Sequence, residues 1–439
     1  MKYIIILILI IGYLPSSAQI QFYSFQEVLD YADSHALAIQ SATLSEQITK
    51  AEKQEAAANL LPTIGGTLGY NDNITLQPTL VPAQIFNPAA PEGSFEELTF
   101  GTKFQYSRGV QVQWDILNFQ KFFAYQASKI SIDESKAHTE VNRLNTYNQL
   151  ASTYYSILLT QESIEIYQEN LLIGDSILVH AQRKFQDGIL SEAEVNRAEI
   201  KQRQNQRNLN QAKNNLDQFL VQLQSQLNTE QIISVSDSPE SFSLQTTSIL
   251  APHPEVIKQE FAVAKYESLL KQAKAMRLPS VSLVYQNNTI WATENFMDFD
   301  NSNRLPQQVF GIQINLSEFL GLTTRPKVRQ SKWNVQLQHL QLENTKLVKD
   351  QEDKLLQLQW EQASDQLREN KRILDLQEQN DLHAENNYQG GLTSLDNRLD
   401  TYDDLLVAQD SYLQSLAACT LAQYKIYARQ SMGNRELEK

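Results

Sequence analysis

Cysteine is nearly missing from this chain of 439 residues, which has one, Cys419. A single thiol excludes an internal disulfide framework and any CxxC motif. Cys419 shares a helical apolar row with Leu405, Tyr412 and Ile426, so we expect a buried structural thiol. The six histidines are scattered without metal-ligand spacing. There is no phosphate-binding loop and no GxSxG nucleophile elbow, so neither an enzyme nor a cofactor is expected.

Long apolar runs are also missing from the mature chain. The one continuous run, residues 4–11, follows Lys2 and precedes the small residues Ser16-Ser17-Ala18. This pattern predicts a signal peptide, residues 1–18, cleaved before Gln19. The residue directly after the cleavage point is Gln19 and not a cysteine, so we expect no lipid anchor. Because no run of 18 apolar residues remains, a membrane span would have to be built from strands.

Proline and glycine are scarce, with 12 and 14 residues. No proline lies between Pro91 and Pro239 or after Pro326, and both stretches are rich in helix-forming residues. Very long helices are therefore predicted. The net charge of −14 is spread along these helices, which indicates solvated faces and disfavours nucleic acid and anionic membrane surfaces as partners. An apolar seam repeats every seven residues, as in coiled coils: Leu150, Ile157, Ile164, Leu171, Leu178 and Phe185.

The stretch 100–114, FGTKFQYSRGVQVQW, alternates apolar residues with polar or small ones. At ~3.3 Å per residue it would span roughly 45 Å, far more than an ordinary strand. Its aromatic residues cluster towards its ends, as in outer-membrane barrel strands, although a long edge strand of a sandwich is the alternative. A similar row lies near residue 310. The predicted lipid-facing residues are Phe100, Phe104, Tyr106, Val110, Val112, Trp114, Phe310, Ile312 and Ile314.

The chain contains an internal repeat. FQDGILS, residues 185–191, matches YQGGLTS, residues 388–394, at an offset of 203, and GVQVQW from Gly109 matches GIQINL from Gly311 at an offset of 202. Two copies of helix–strand–strand–helix–helix are therefore predicted. Their expected extents are 19–231, with strands near 63–76 and 99–116, and 252–432, with strands near 280–293 and 307–318. Residues 232–251 would form a linker or equatorial region, and 433–439 a C-terminal tail.

Four strands per chain cannot close a membrane barrel, and open edges cannot exist in lipid. The chain should therefore oligomerise, and three copies would supply 12 strands. The polar row, rich in Gln, Asn, Ser and Gly, would then line the lumen. The helices would pack around the same axis as a tube.

These features resemble the TolC-like outer membrane efflux protein family. The resemblance rests on the signal peptide, the duplicated halves, LPT and LPS before the strands, GVQVQW and GIQINL within them, and the FxxG and YxxG helix interruptions. It implies a mainly α protomer with membrane β-strands. Three protomers would form a homotrimer with a 12-stranded outer-membrane β-barrel, continued by a long periplasmic α-helical barrel.

The same resemblance implies a function and a location. The protein would be the exit duct of a tripartite efflux or type I secretion system in the outer membrane of a Gram-negative bacterium. It would pass substrates from an inner-membrane pump and a periplasmic adaptor to the cell exterior. A periplasmic adaptor, or a coiled-coil structural or surface protein, is the alternative.

The resemblance also suggests site residues. It places Gly188, Gly390 and Gly391 at helix turns that form the periplasmic tip. Its periplasmic aperture residues would be Glu194, Asn397 and Asp400. Asn397 stands where the family pattern has an aspartate, and Arg398 is a second departure from that pattern.

Overall fold

The computed structural model describes residues 19–237, 252–316 and 322–435, with side chains described as far as residue 430. The predicted signal peptide, linker residues 238–251, residues 317–318 of the fourth predicted strand and tail residues 436–439 lie outside the described residues. The chain divides into two compact units. The helical unit comprises Met1–Gln47, Glu134–Glu260 and Gln341–Lys439, and the sheet unit comprises Ile48–Asp133 and Phe261–Leu340.

Helices make up most of the described chain, as the scarcity of proline and glycine predicts. In chain order they are α1 (Phe25–His35), α2 (Leu37–Ala58), α3 (Phe119–Gln186), α4 (Glu192–Gln226), α5 (Pro254–Ala275), α6 (Thr324–Gln389) and α7 (Leu395–Arg435). None of the helices in the described ranges is long and apolar enough to cross a membrane.

The helix-forming residues from Ser24 to Leu61, which precede Pro62, predict one continuous helix, but the structure has two. The helical stretch breaks at Ala36, whose ψ of 122° is extended, and α2 ends at Ala58. Ser24 caps α1 by accepting a hydrogen bond from the backbone N–H of Glu27. The break separates two short helices that the sequence pattern joined.

Strands occupy four long and four short segments of the described residues. They are β1 (Ile20–Phe22), β2 (Thr63–Asp72), β3 (Pro78–Pro82), β4 (Phe95–Thr99), β5 (Phe104–Leu117), β6 (Ile233–Val235), β7 (Ser280–Thr293) and β8 (Asn303–Asn315). The four prolines between Asn71 and Leu98 predict an exposed loop there, but most of the β3–β4 hairpin lies within this stretch. Strand β6 lies in the predicted linker.

The four long strands form one antiparallel sheet in the sheet unit. Its order is β2-β5-β7-β8, so the strands of the two predicted repeats meet at the β5–β7 pair. A register shift between Asp115 and Leu117 bends the end of β5. Within the described residues, β2 and β8 are the two edges of this sheet.

The helical unit has an aromatic core. The ring of Phe25 lies 4.9 Å from that of Tyr154 and 4.3 Å from that of Tyr424. Strands β1 and β6 pair in parallel beside this core, with Ile20 opposite Ile233. Cys419 is 8% exposed, in line with its expected structural role.

Candidate functional site

The strand register sorts the side chains of the four-stranded sheet onto two faces. Residues directly opposite each other in neighbouring strands point to the same side. Val112 lies opposite Ile64 and Tyr285, and Tyr285 lies opposite Phe310. One face is therefore mainly apolar. The apolar face is defined by Ile64, Leu68, Tyr70, Phe104, Tyr106, Val110, Val112, Trp114, Leu283, Tyr285, Trp291, Phe310, Ile312 and Ile314.

The opposite face is polar or small in β2 and β5. It carries Thr63, Gly65, Thr67, Gly69 and Asn71 of β2 and Gln105, Ser107, Gly109, Gln111 and Gln113 of β5. In β7 and β8 it is mixed, because Val284 and Leu305 stand among polar residues such as Asn288 and Gln307. This polar face is what the alternation in residues 100–114 predicts for one side of the sheet.

Two predicted lipid-facing residues are placed differently from the rest. Phe100 lies between β4 and β5, in neither strand, so its assignment to the strand is wrong. The adjoining Gly101 has a φ of 128°, which ends the extended run that the alternation suggested. Phe104 begins β5 on the apolar face but is only 8% exposed, because its ring packs against those of Phe296 and Tyr70.

The remaining residues of the predicted lipid-facing set lie on the apolar face. Several are well exposed within one chain: Val110 by 47%, Trp114 by 42%, Phe310 by 72%, Ile312 by 65% and Ile314 by 64%. Exposed apolar side chains arranged along one sheet face indicate a surface that something other than water covers. The indole of Trp114 donates a hydrogen bond of 3.1 Å to the carbonyl oxygen of Leu60, which holds its ring at the helix end of this face.

The predicted tips are two helix turns in the helical unit. Two residues after the end of α3 stands Gly188, with φ 72°, and two residues after the end of α6 stands Gly391, with φ 75°. Such left-handed angles after the last helical turn favour glycine. In the first turn the N–H of Ile189 bonds to the carbonyl of Lys184 at 2.8 Å, and in the second the N–H of Leu392 bonds to that of Asn387, also at 2.8 Å. Both are Schellman turns.

The predicted aperture residues lie just beyond these turns, at the starts of α4 and α7. Glu194 accepts a 2.7 Å hydrogen bond from the backbone N–H of Ser191, whose hydroxyl caps α4 in return. These bonds from Ser191 lower the pKa of the Glu194 carboxyl. Asn397, at the matching position, gives its backbone N–H to the hydroxyl of Ser394 at 3.3 Å. Asp400 is exposed on α7.

Arg398 has a role that the sequence did not reveal. Its side chain is 1% exposed and donates hydrogen bonds of 2.8 Å to Glu385 and 3.1 Å to Asp381, both on α6. Burial alone would lower the pKa of Arg398, but these two carboxylates raise it. The guanidinium also lies 5.5 Å from the ring centre of Tyr402. Arg398 therefore joins α6 to α7 close to the second tip.

A buried polar cluster joins three helices of the helical unit. The hydroxyl of Tyr402 on α7 donates to the backbone carbonyl of Asn170 on α3 at 2.7 Å. The side-chain amide of Asn205 on α4 donates to the same carbonyl at 2.8 Å and to the Tyr402 hydroxyl at 2.9 Å. A Cβ on Gly174 would stand 2.9 Å from that amide nitrogen, so α3 needs glycine there. No sequence motif marked these residues.

Ionic contacts link the two helical hairpins near their tips. Arg197 pairs with Asp396 and Lys201 pairs with Asp403, which ties α4 to α7. The ammonium of Lys184 donates to the carbonyl of Tyr388 at 3.1 Å and lies 3.7 Å from the centre of its ring. Charged residues that looked like ordinary solvated helix residues in the sequence thus hold neighbouring helices together.

Comparisons with known proteins agree with this architecture. The family model described as outer membrane efflux protein matches residues 28–229. The fold resembles that of the outer membrane protein VceC from Vibrio cholerae, with a TM-score of 0.73 and 15% identity over 92% of this chain and 96% of that one. It also resembles the open MtrE outer membrane channel of Neisseria gonorrhoeae, with a TM-score of 0.71 and 16% identity over 92% and 88%.

A third solved structure, the CmeC outer membrane channel of Campylobacter jejuni, aligns with a TM-score of 0.69 and 18% identity over 94% of this chain and 88% of that one. No protein of curated function matches the sequence. The fold is thus that of outer membrane efflux channels, in which a long helical barrel joins a β-barrel. The family match covers most of the first predicted repeat, and the resemblance in fold extends over both repeats.

Proposed function

We propose that the protein is the outer-membrane exit duct of a tripartite efflux or type I secretion system and that it works as a homotrimer. The observation that carries this proposal is the four-stranded sheet, which has one apolar face, one largely polar face and two open edges. Channels of this family typically trimerise and work with adaptor and pump partners.

The exposed edges of the sheet favour a barrel that several protomers form together. The bilayer core offers no hydrogen-bond partners to the free backbone groups of an edge strand, so β2 and β8 need partner strands. All ten residues of β2 are exposed within one chain. Pairing β2 of one copy with β8 of the next, three times around, gives a closed barrel of 12 strands. The apolar face then meets lipid, and the face with Gln105, Gln111 and Gln113 meets water in the lumen.

The two helix turns are our proposed contact site for partner proteins at the periplasmic end. At Gly188 and at Gly390–Gly391 the helices reverse in tight turns, each closed by the hydrogen bonds of a Schellman motif. We assign contact with a periplasmic adaptor, and through it an inner-membrane pump, to these tips. Glu194 and Asp400, repeated three times around an axis, would form rings of negative charge that favour cations at the aperture. Asn397 would leave one ring position neutral.

The outer membrane is the proposed location, reached through the predicted signal peptide and without a lipid anchor. The test combines location, assembly and conduction. The protein should fractionate with the outer membrane, run in mild detergent at three times the protomer mass, and form pores in planar bilayers. A monomeric protein without pore activity would contradict the proposal. A soluble periplasmic location would favour the adaptor alternative, and a cell-surface filament would favour the structural one.

A further inference from the structure

The loop between β7 and β8, residues 294–302, lies against the apolar face of the sheet. The ring of Phe296 is 6.0 Å from that of Tyr70 and 5.8 Å from that of Phe104. The ring of Phe299 is 4.8 Å from that of Tyr106. Because the register puts Tyr70, Phe104 and Tyr106 on the apolar face, the loop covers this face and not the polar one.

Hydrogen bonds fix the loop, although its apolar side chains are exposed to solvent. The backbone N–H of Met297 donates to the hydroxyl of Tyr106 at 2.8 Å, and Met297 has a φ of 58°, which bulky residues rarely adopt. The carboxylate of Asp298 accepts hydrogen bonds from Asn301 within the loop. Even so, Phe296 is 59% and Met297 is 62% exposed. A fixed loop that shows a phenyl ring and a thioether outward presents a built apolar surface.

This surface lies at one rim of the apolar face. Phe104 and Trp114 mark the ends of the face along β5, and ten residues at ~3.3 Å cover roughly 33 Å of strand. A strand tilted by about 40° would rise about 25 Å over that length, which is the height of the apolar band in outer-membrane barrels. Trp114 lies beside Leu60, just after the end of α2. Phe296 and Met297 lie near Phe104, at the opposite end of β5.

Basic side chains lie beside the same aromatic residues. The guanidinium of Arg108 is 5.0 Å from the ring centre of Trp291, and Arg304 lies opposite Trp291 on β8, so both arginines belong to the apolar face. The ammonium of Lys103 is 5.1 Å from the ring centre of Phe104. Aromatic residues with interleaved arginine or lysine are suited to the boundary between acyl chains and phosphate headgroups. The loop itself carries Glu294, Asp298 and Asp300, so the positive charge at this rim comes from Arg108, Arg304 and Lys103.

We propose that these residues form a lipid-binding rim on the outside of the barrel. The lipid-binding rim comprises Tyr70, Phe104, Tyr106, Arg108, Trp291, Phe296, Met297, Phe299 and Arg304. Phe296 and Met297 enter the acyl–headgroup boundary of the outer leaflet, and Arg108 and Arg304 contact lipid phosphates. This rests on the proposed function, because the apolar face must meet lipid. It assigns the loop to the lipid side of the wall and not to the pore mouth.

Depth-dependent fluorescence quenching tests the lipid-binding rim. Met297→Cys is made in the full chain with Cys419→Ala and labelled with a small fluorophore. It is reconstituted in vesicles that contain lipids spin-labelled at the headgroup, at a shallow acyl position or deep in the acyl chain. Gln307→Cys, on the polar face of neighbouring β8, is the matched control. We expect headgroup and shallow labels to quench the fluorophore at position 297 and to leave the one at position 307 unchanged. Aqueous iodide should quench position 307 more strongly.

A third labelled position separates this proposal from the channel wall itself. Ile312→Cys lies in the middle of the apolar face and should be quenched by the deep acyl label. Quenching at position 312 with only iodide quenching at position 297 would overturn the lipid-binding rim and leave the proposed function intact. Loss of lipid quenching at both positions, together with absent pore conductance, would overturn both.

The arginines are tested in the same vesicles. Headgroup-labelled anionic lipid should quench the fluorophore at position 297 at least about twofold more than headgroup-labelled zwitterionic lipid, because cations near the surface enrich anionic headgroups. Arg108→Gln with Arg304→Gln should abolish that preference and keep the shallow quenching. An unchanged preference in the double variant would overturn the assignment of phosphate contacts to these two residues.

Discussion

The two hairpin tips have the same backbone geometry, but the side chains packed next to each turn differ. At an offset of 203 residues, Gly188 matches Gly391 and Ser191 matches Ser394, and the two turns share left-handed glycines and the same long-range backbone bond. Below the first turn, Leu178 of α3 and Val195 of α4 are partly buried against one apolar cluster. The turn geometry is therefore set by glycine and by capping, and it does not depend on the contact that follows.

At the second tip, the residues at the matching positions form a buried ionic contact. Asp381 stands where the first hairpin has Leu178, Glu385 where it has Gln182, and Arg398 where it has Val195. Apolar packing tolerates small shifts, whereas a guanidinium with two carboxylates fixes both distance and direction. The second hairpin is thus held near its tip by a more specific contact than the first.

The largest effect should come from removing the charge that holds the second tip. Arg398→Val leaves Asp381 and Glu385 without their cation, and Asp381 is itself buried. Breaking a buried ion pair from one side costs about 3–5 kcal/mol. We expect a marked drop in the thermal midpoint of the purified protein. The matching Val195→Ala change, which removes only methyl groups, should cost less than about 3 kcal/mol.

The first hairpin supplies the matched control. The triple change Arg398→Val, Asp381→Leu and Glu385→Gln gives the second tip the residues that the first tip has at these positions. Because an apolar replacement of a whole buried ion pair is often neutral or stabilising, the triple variant should recover most of the lost stability. A triple variant as unstable as Arg398→Val alone would show that the arginine acts through other contacts.

A second difference between the hairpins concerns the buried polar cluster. Gly174 and Asn205 of the first hairpin correspond to Gln377 and Ala408 of the second, and the alanine has no side-chain amide to make such bonds. Gly174→Ala should destabilise the protein by about 1–3 kcal/mol, because the new Cβ displaces the Asn205 amide from its hydrogen bonds. Thermal unfolding of the purified protein measures the change.

The sign of this effect should reverse in a second background. With Asn205→Ala already present, Gly174→Ala meets no amide and gains up to about 1 kcal/mol of helix propensity. The double variant should therefore be at least as stable as Asn205→Ala alone. Destabilisation of equal size in both backgrounds would contradict the role of Gly174 as the space for Asn205.

The sequence predicted the fold well because its strongest signals are local and repeated. The strand period placed four long strands, and FxxG and YxxG marked both turns at the observed glycines. The breaks were harder to predict. Ala36 interrupts a helix without glycine or proline, and the β3–β4 hairpin forms in a segment whose prolines, Pro78 and Pro82, suggested a loop.

The sequence did not reveal the long-range partners. Arg398 was noted only as a departure from a pattern, because its partners Asp381 and Glu385 lie 17 and 13 residues earlier on another helix. Likewise Asn170 and Tyr402 are 232 residues apart, and nothing in their local sequence pairs them. The placement of Phe104 under Phe296 depends on a loop fold that alternation does not encode. The roles of Glu194, Asn397 and Asp400 at the aperture stay predictions.

The two repeats also differ at the helix that leads into each strand pair. Helix α5 of the second repeat begins after His253, whose Nδ1 accepts a 3.0 Å hydrogen bond from the backbone N–H of Glu255, whereas α2 of the first repeat begins after Ala36. Burial, with Arg429 and Lys349 nearby, lowers the pKa of His253 to about 4. The nearby carboxylates of Asp353 and Glu352 raise the pKa of His253, but by less than burial and the two cations lower it.

Stability should therefore fall on acidification over a defined range. Between about pH 6.5 and 4 the unfolded chain binds a proton that folded His253 does not, so stability is present above this window and is lost as the pH falls through it. His253→Asn keeps an acceptor for the Glu255 N–H and cannot titrate. Its thermal midpoint should depend less on pH between 6.5 and 4 than that of the unchanged protein. Equal slopes would exclude His253 as the source.

The smallest expected effect tests whether Glu194 acts as a helix cap, as a charge at the aperture, or as both. Asn397→Glu gives the second tip the capping box of the first, with Ser394 in the place of Ser191, and should raise the thermal midpoint slightly. In a trimer it also adds three negative charges, so cation preference in planar bilayers should rise. Glu194→Ala with Asp400→Ala should raise conductance and lower cation preference.

Glu194→Gln separates the two roles, because glutamine can still accept the Ser191 N–H but carries no charge. If Glu194 lines the aperture, Glu194→Gln should change selectivity as Glu194→Ala does while keeping the thermal midpoint of the unchanged protein. If its role is only to cap α4, Glu194→Gln should leave both selectivity and stability unchanged, and Glu194→Ala should lower stability alone. The paired measurement thus decides whether the first tip differs from the second in capping only or also in the charge that it presents to the passage.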